Sequence, residues 1–449
     1  MNVNPPPPHP FLQAIQEQLP AATAKILDLH TETLARRCGF LRRTPRKIPI
    51  PQFLQGLLAL VPETDLSLER VARAIGLTVE GSYSKQALSQ RLSPALPDFL
   101  AQVITGALDQ FSQTVEVSPL LKSFARLLVQ DSTLLPLPAH LAALFPGGGN
   151  QSSSPTASLK IQWVCDLKNS AVAQSRLSGF TRNDQRAAAD ILEAVGPGDL
   201  VLRDLGYLSV PVLGQVEDRK AFLLSRHLPG TRYYEPSSGQ LFDLAAQLRL
   251  HPSLDLPLLA GAERVPVRLV ALPVPEEVAN RRRQKARATA RHRQRPPPSR
   301  EYLFLLGWNL LLTHVPASLW PPKAVVAVYR LRWRIEIIFK TWKSYLGLPR
   351  LNCRTARLLE LFALTKLLFR ALVSQLCDVL ELHCGQGRHV SLLRLGHILE
   401  QFACWFSATI LGISVVQWLE FSLANHALYD RRKDRQNYYE ALATVGTLT

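Results

Sequence analysis

Hydrophobic and polar positions divide the chain into regimes. Up to about residue 115, and again from about Leu351 to the end, apolar residues recur at the spacing of helices that bury one face. Between them lie short apolar or alternating runs of strand length, bounded by turn residues. FARLLV (124–129) is the first, and it stops at Gln130-Asp131-Ser132-Thr133. LKIQWVCDL (159–167) and AVAQSRLSGF (171–180) alternate and pair as a hairpin through Lys168-Asn169, after a Gly/Ser loop over Gly147 to Ser154. A helix runs from near Asn183 or Asp184 through DQRAAADILEAV to the stop at Gly196-Pro197-Gly198. Leu200 to Arg203 makes a fourth strand, leading into Asp204-Leu205-Gly206-Tyr207, and Ala221 to Ser225 a fifth. The order strand, strand, strand, helix, strand, strand predicts an α/β core.

The stretch from Val325 to Gly347 reads as one helix. At about 100° per residue, Tyr329, Arg332, Glu336 and Lys343 fall within roughly a 60° sector. Val328, Leu331, Ile335, Ile338 and Trp342 form the opposing apolar stripe. About a hundred residues separate this helix from the fifth strand, with apolar runs VPVRLVALPV (265–274) and EYLFLLGWNLLLTHV (301–315). They read as a β-rich insertion. Between the runs lies RRRQKARATARHRQRPPPSR, Arg281 to Arg300, a basic block without acids that is expected to be flexible until it meets a polyanion. Near the N-terminus, LSLERVARAIGLTVEGSYSKQALSQRL (66–92) has a helix-turn-helix outline, and an ordinary small helical bundle fits it as well. Its second helix, from near Ser84, carries Lys85, Gln86, Ser89, Gln90 and Arg91, types that contact phosphates and base edges. The expected organisation is therefore a helical domain (1–115), a core (120–228), the insertion with its basic linker (229–318), a helix completing the core (319–350) and a helical C-terminal region (351–449).

Composition narrows the partners. With 449 residues and a hydrophobic fraction of 47%, the chain can fill more than one core. Fifty-two Lys and Arg against thirty-five Asp and Glu leave +17, and this excess favours a polyanion: nucleic acid, or an anionic membrane surface. The uncharged run from Phe402 to Leu419 contains Ser407, Thr409, Gly412, Ser414 and Gln417 and reads as a buried helical segment, so no membrane partner is expected. Six scattered cysteines without a CxxC pair argue against zinc. The opening MNVNPPPPHP has no basic segment followed by an apolar one, which points to a reducing cytoplasm.

The candidate chemistry lies in three acids. Two neighbouring strands ending in Asp131 and Asp204 bring carboxylates to one sheet edge, and Glu336 from a packed helix completes a nest of oxygen ligands for Mg²⁺ or Mn²⁺. An Arg, a Lys and a Tyr beside Glu336 suit a phosphate backbone; the plainer reading is a solvated helical face. Asp166, Asp184 and Asp199 fall at a hairpin turn, a helix start and a loop, where structural roles explain them.

Tyr329, two residues, Arg332, three residues, Glu336, six residues, Lys343 resembles the YREK signature of the insertion-sequence-four family of DDE transposases. Asp131 in QDST and Asp204 in RDLGY resemble the family's first two acids, and SKQALSQRL (84–92) its N-terminal segment. WNLLLT and YRLRWRIE are similar to WLLLT and YxxRWRIE in the family. The resemblance implies a ribonuclease-H-like core, a mixed five-stranded sheet with helices, interrupted by a β insertion before the third acid. It implies two Mg²⁺ ions on Asp131, Asp204 and Glu336, with Mn²⁺ substituting. It also implies double-stranded DNA as partner, at element ends and target, and a homodimer in a paired-end complex. Tyr329 and Arg332 would grip phosphate, Lys343 the terminal nucleotides, and Trp308 a flipped base. Gln162 stands where relatives often carry His, and Leu205 where they carry Arg. Two other readings are a ribonuclease-H-like nuclease that cleaves without joining, and an inactive or domesticated DNA-binding protein.

Overall fold

A computed structural model describes residues 31–43, 48–58, 65–68, 71–72, 75, 85–109, 118–148, 156–168, 171–180, 184–345, 352–353, 355–381, 389–395 and 444–445. The uncharged run 402–419, most of the loop 147–154, and the turn (76–84) with part of the first helix of the helix-turn-helix outline lie outside the described residues.

The helices before the sheet are α1 (Thr31–Arg37), α2 (Ile50–Leu58), α3 (Lys85–Arg91) and α4 (Leu96–Asp109). Next come β1 (Leu127–Leu137), β2 (Ala157–Asp166), β3 (Val172–Gly179), β4 (Leu200–Arg203), α5 (Val210–Asp218) and β5 (Phe222–Arg226). The inserted segment carries β6 (Tyr233–Tyr234), β7 (Leu241–Phe242), α6 (Leu244–Leu250), β8 (Leu254–Ala260), β9 (Val265–Pro273), α7 (Glu276–His292), α8 (Arg300–Leu305) and β10 (Trp308–Thr313). Then follow α9 (Pro322–Arg330), α10 (Trp333–Tyr345) and α11 (Ala356–Glu381).

These elements form two compact units: residues 1–116, 132–182 and 335–435, and residues 117–131, 183–334 and 436–449. The second is built on a mixed sheet flanked by helices, consistent with a ribonuclease-H-like core. β1 and β4 pair in parallel from Leu127↔Leu200 to Gln130↔Arg203, and β4 and β5 from Leu200↔Phe222 to Arg203↔Ser225. All four residues of β4 are buried, as a strand between two parallel neighbours requires. The insertion does not stand apart: β10 adds antiparallel to β5, β9 to β10 and β8 to β9. It also holds three helices, so it is α+β rather than β alone. The run 301–315 splits because Ser299 caps α8 by accepting from the Tyr302 amide (3.1 Å), and a turn at Gly307 then opens β10.

Three further expectations are corrected. Residues 184–195 do not form an α-helix: the segment is a series of turns with a 3₁₀ helix over Ala188–Glu193. Its carbonyls are engaged from outside, Ala187 by the Gln130 amide (3.1 Å) and Ala188 by the Arg203 guanidinium. The stretch 325–347 is not one helix either, since α9 stops at Arg330 and α10 starts at Trp333. Finally, most of the basic block is the ordered helix α7, with Glu276 and Glu277 in its first turn and Arg291 and His292 in its last, both favourable to the helix dipole.

In the other unit, α4 lies against α1, α11 and β3. Phe40 stacks on Phe99 (centroids 4.8 Å apart) and tilts against Phe53. The buried Leu359, Phe362 and Leu367 of α11 belong to a helix packed on α4 and α2, and a short parallel pair joins Asp65-Leu66 to Asn352-Cys353. β2 and β3 pair in this unit as the predicted hairpin, Leu159↔Gly179 to Cys165↔Val172.

Candidate active site

Asp131 and Asp204 follow the last paired residues of two adjacent parallel strands, Gln130↔Arg203. β1 does not end at Asp131, as its sequence had led us to expect; it continues to Leu137, and what ends there is its pairing with β4. Because side chains alternate along a strand, Gln130 and Arg203 point to one face and the acids to the other. The first pair is locked: Arg203, 1% exposed, donates through Nε to the Gln130 amide oxygen (3.1 Å) and through Nη2 to the same oxygen and to the Ala188 carbonyl. Burial holds the Arg203 guanidinium down to about 10, against the raising influence of Tyr207 and Asp190. The link fixes where the two acids emerge.

Arg332 faces both of them. Its Nη1 is 3.8 Å from Asp131 Oδ2 and its Nε 4.0 Å from Asp204 Oδ1. It is brought there by the break between α9 and α10, where the amides of Leu331, Arg332 and Arg334 bond three residues back, at 3.0, 3.2 and 3.0 Å. Such a turn has three residues per revolution and sets residues three apart directly above one another. Arg332 accordingly sits over the Tyr329 ring, 6.0 Å from its centroid. The Tyr329 hydroxyl lies 3.2 Å from the Arg203 carbonyl and 3.4 Å from Asp204 Oδ1. Burial pushes this phenol well above its ordinary range, with Arg332 and Arg226 opposing and Asp204 reinforcing the shift. It is therefore neutral and able to donate. α9 is seated by its buried Ala324, Val325, Ala327 and Val328 against β5, β9 and β10. The lead-in is pinned by Arg268, which pairs with Asp255 (2.6 and 2.8 Å) and donates to the carbonyls of Val315 and Trp320.

Four candidate residues thus come together: Asp131, Asp204, Tyr329 and Arg332. Glu336 and Lys343 belong to the other unit, both exposed on α10 and two turns apart on one face. Trp308 opens β10 within the insertion, its ring at an angle to Phe304 (centroids 6.3 Å apart). Lys85 begins α3. Arg91, expected at DNA, is turned inward: its Nη2 donates to the Ile48 carbonyl (2.8 Å) and its guanidinium covers the rings of Phe40 and Phe53. The competing acids have structural roles. Asp166 accepts from the Lys168 amide (3.0 Å), and buried Asp199 pairs with Arg126 (2.5 Å). One cation has no place in the sequence pattern, and another, Arg282, belongs to the basic block but is turned inward. Arg226, at the end of β5, acts electrostatically on both Tyr329 and Arg282. Arg282 donates to the Trp308 carbonyl (3.1 Å) and to Asn309 Oδ1 (2.9 Å). Only the register of β5 and β10 could have singled them out.

Asp131 and Asp204 offer hard oxygen donors of the kind Mg²⁺ and Mn²⁺ take. Among the described residues no group of three or more His, Cys, Asp and Glu is gathered for a metal, so the donor type fits and two donors are in place.

Residues 122–372, more than half of the chain and including all three candidate acids, match the family model described as the transposase DDE domain. The chain is 26% identical over 371 residues to the transposase for insertion sequence element IS231B of Bacillus thuringiensis subsp. berliner, covering 76% of this chain and 77% of that protein. With the transposase for insertion sequence element IS231D of Bacillus thuringiensis subsp. finitimus the identity is 27% over 394 residues, 80% of each chain. A shorter match, 33% over 117 residues, links 26% of this chain to 31% of the putative transposase InsL for insertion sequence element IS186A of Escherichia coli (strain K12).

Proposed function

This chain belongs to the family of transposases with a DDE domain, and from that membership we propose that it is a metal-dependent cut-and-paste DNA transposase of the YREK-signature, insertion-sequence-four group. The observation that carries the reading is the pair Asp131 and Asp204, set side by side on parallel strands under one guanidinium in a chain of net charge +17. Asp131, Asp204 and Glu336 would hold the metal, two Mg²⁺ or Mn²⁺ ions, which supply charge neutralisation and an activated oxygen for in-line displacement at phosphorus. The Tyr329 hydroxyl orients the Asp204 carboxylate. Arg332 brings positive charge to where the scissile phosphate would lie, and keeps the two acids from repelling one another while they wait for it. Lys343 and Trp308 would meet the terminal nucleotides.

Two displacements make up the reaction. Water attacks an end phosphodiester, its P–O bond to the 3′ oxygen breaks, and that oxygen leaves as a hydroxyl. The freed 3′-hydroxyl then attacks a target phosphodiester: its oxygen forms the new P–O bond and gives up its proton, while the bond to the target's own 3′ oxygen breaks and that oxygen leaves as a hydroxyl. The partners are double-stranded DNA at element ends and target, and a second copy of the chain in a paired-end complex. The reading places the chain in a prokaryotic cytoplasm; no helix among the described residues is long and apolar enough to cross a membrane.

Cleavage and joining of labelled end-DNA with Mg²⁺ test this. Asp131→Asn, Asp204→Asn and Glu336→Gln should each lower cleavage roughly a hundredfold or more while DNA affinity stays within a few-fold. Wild-type activity in any of them overturns the assignment. Cleavage without joined product would mark a nuclease instead.

A further inference from the structure

The cations of α7 divide into two sets. Arg282 and Arg283 turn inward, to the carbonyls of Leu306 (3.4 Å) and Trp308 (3.1 Å) and of Leu303 (3.1 Å) respectively. Arg281, Lys285, Arg287 and Arg291 are exposed, and at helical spacing they form two stripes, Arg281 with Lys285 and Arg287 with Arg291, about 120° apart on the two flanks of the solvent side. Among the described residues none of these four side chains makes a hydrogen bond or salt bridge, and the sequence has no acid between Glu277 and Glu301 to neutralise them.

Two features set this apart from an ordinary solvated face. Arg281 with Lys285 and Arg287 with Arg291 are like charges one turn apart, an arrangement that costs an isolated helix stability. Moreover Ala279 is the one buried residue of α7, so the helix is seated by arginine hydrogen bonds on α8 and β10 rather than by an apolar stripe. It is held in place at a polar junction, with its repelling charges directed outward.

We infer that α7 is a rigid binding surface for the backbone of duplex DNA, with Arg281, Lys285, Arg287 and Arg291 as its phosphate contacts and Arg282 as the internal tie that joins this surface to Trp308 and Asn309. Arg281 and Arg291 are ten residues apart, about 15 Å along the axis. At about 3.4 Å of duplex per phosphate on one strand, that length covers roughly four phosphates. An amphipathic helix lying in a membrane needs an apolar face to insert, and here the outward positions between the cations are Gln284, Ala288 and Thr289. Single strands are gripped by stacking aromatics, and α7 has no Phe, Tyr or Trp. Duplex remains.

The inference rests on DNA being the partner but not on cleavage. The test is fluorescence anisotropy of the full chain with a duplex of arbitrary sequence over a KCl series. Replacing Arg281, Lys285, Arg287 and Arg291 by Gln should reduce the slope of log affinity against log salt by about three to four and weaken binding roughly a hundredfold at low salt. Arg287→Gln with Arg291→Gln alone should remove about two from the slope, which covers loss of folding in the fuller variant. Arg282→Gln should lower the thermal midpoint and leave the slope within about one of wild type. An unchanged slope in the two- and four-residue variants overturns the inference even if the chain cleaves DNA. An α7-dependent slope in a chain that never cleaves keeps the inference and removes the catalytic reading. Binding to polyglutamate that is lost along with these cations, while duplex binding stays unchanged, would also overturn it.

Discussion

Gln130 and Arg203, each one residue before a candidate acid, carry the most local consequence of this fold. Arg203→Met leaves the Gln130 oxygen and the Ala188 carbonyl without their donor in a buried place, and should cost about 3 kcal/mol, read as a lower urea midpoint. Cleavage should fall too, since the acids lose the link that sets their spacing. Tyr329→Phe removes a hydroxyl held by Arg203 and Asp204 and should cost about 1 kcal/mol. Its pH behaviour follows from sign. The folded phenol titrates above the unfolded one, so its contribution is complete below the ordinary range near 10 and is lost as pH rises from there. Tyr329→Phe should flatten the alkaline fall in stability measured by denaturation at stepped pH. The two aspartates stood out as the acids that follow apolar strand runs, although Asp131 lies within β1 and only its pairing with β4 ends there. Their support did not: Gln130 reads as a turn residue and Arg203 as a charged strand end until the parallel register sets one against the other.

Elements were legible where local pattern and final packing agree. The hairpin of β2 and β3 was legible from two strand-length runs on either side of a turn, and β4 from a short apolar run that is buried throughout. α7 was missed for an opposite reason: its pattern is set by charge, and a run of arginines carries no apolar period to announce a helix. The break between α9 and α10 is invisible to periodicity because a three-residue turn disturbs the phase too little. β5 and β10 carry a further consequence. The histidines just beyond them, His227 and His314, are held down to about 4 by burial, against an ordinary 6.5. A folded value below the unfolded one means stability that is complete above about 6.5 and lost as pH falls through 4. Denaturant midpoints should therefore drop between pH 6.5 and 4, and His314→Phe should remove part of that drop. An equal slope in the variant would show that the ring is charged in the fold.

For the whole molecule, the net charge of +17 predicts binding that weakens steeply with salt, and α7 locates part of that dependence. The broad class was legible from total charge and element order, whereas the way the inserted segment joins the core was not. Pairing of β10 with β5 is a contact between residues almost ninety positions apart, and nothing in either run specifies its neighbour. That pairing limits how the protein can be shortened. Excising residues 229–318 would leave β5 paired with β4 alone and open a row of bare amides and carbonyls along its other side, the kind of margin that recruits other chains. A trimmed version should come out of cells as sediment, because an inserted part that looks optional from its position in the chain covers the open side of β5.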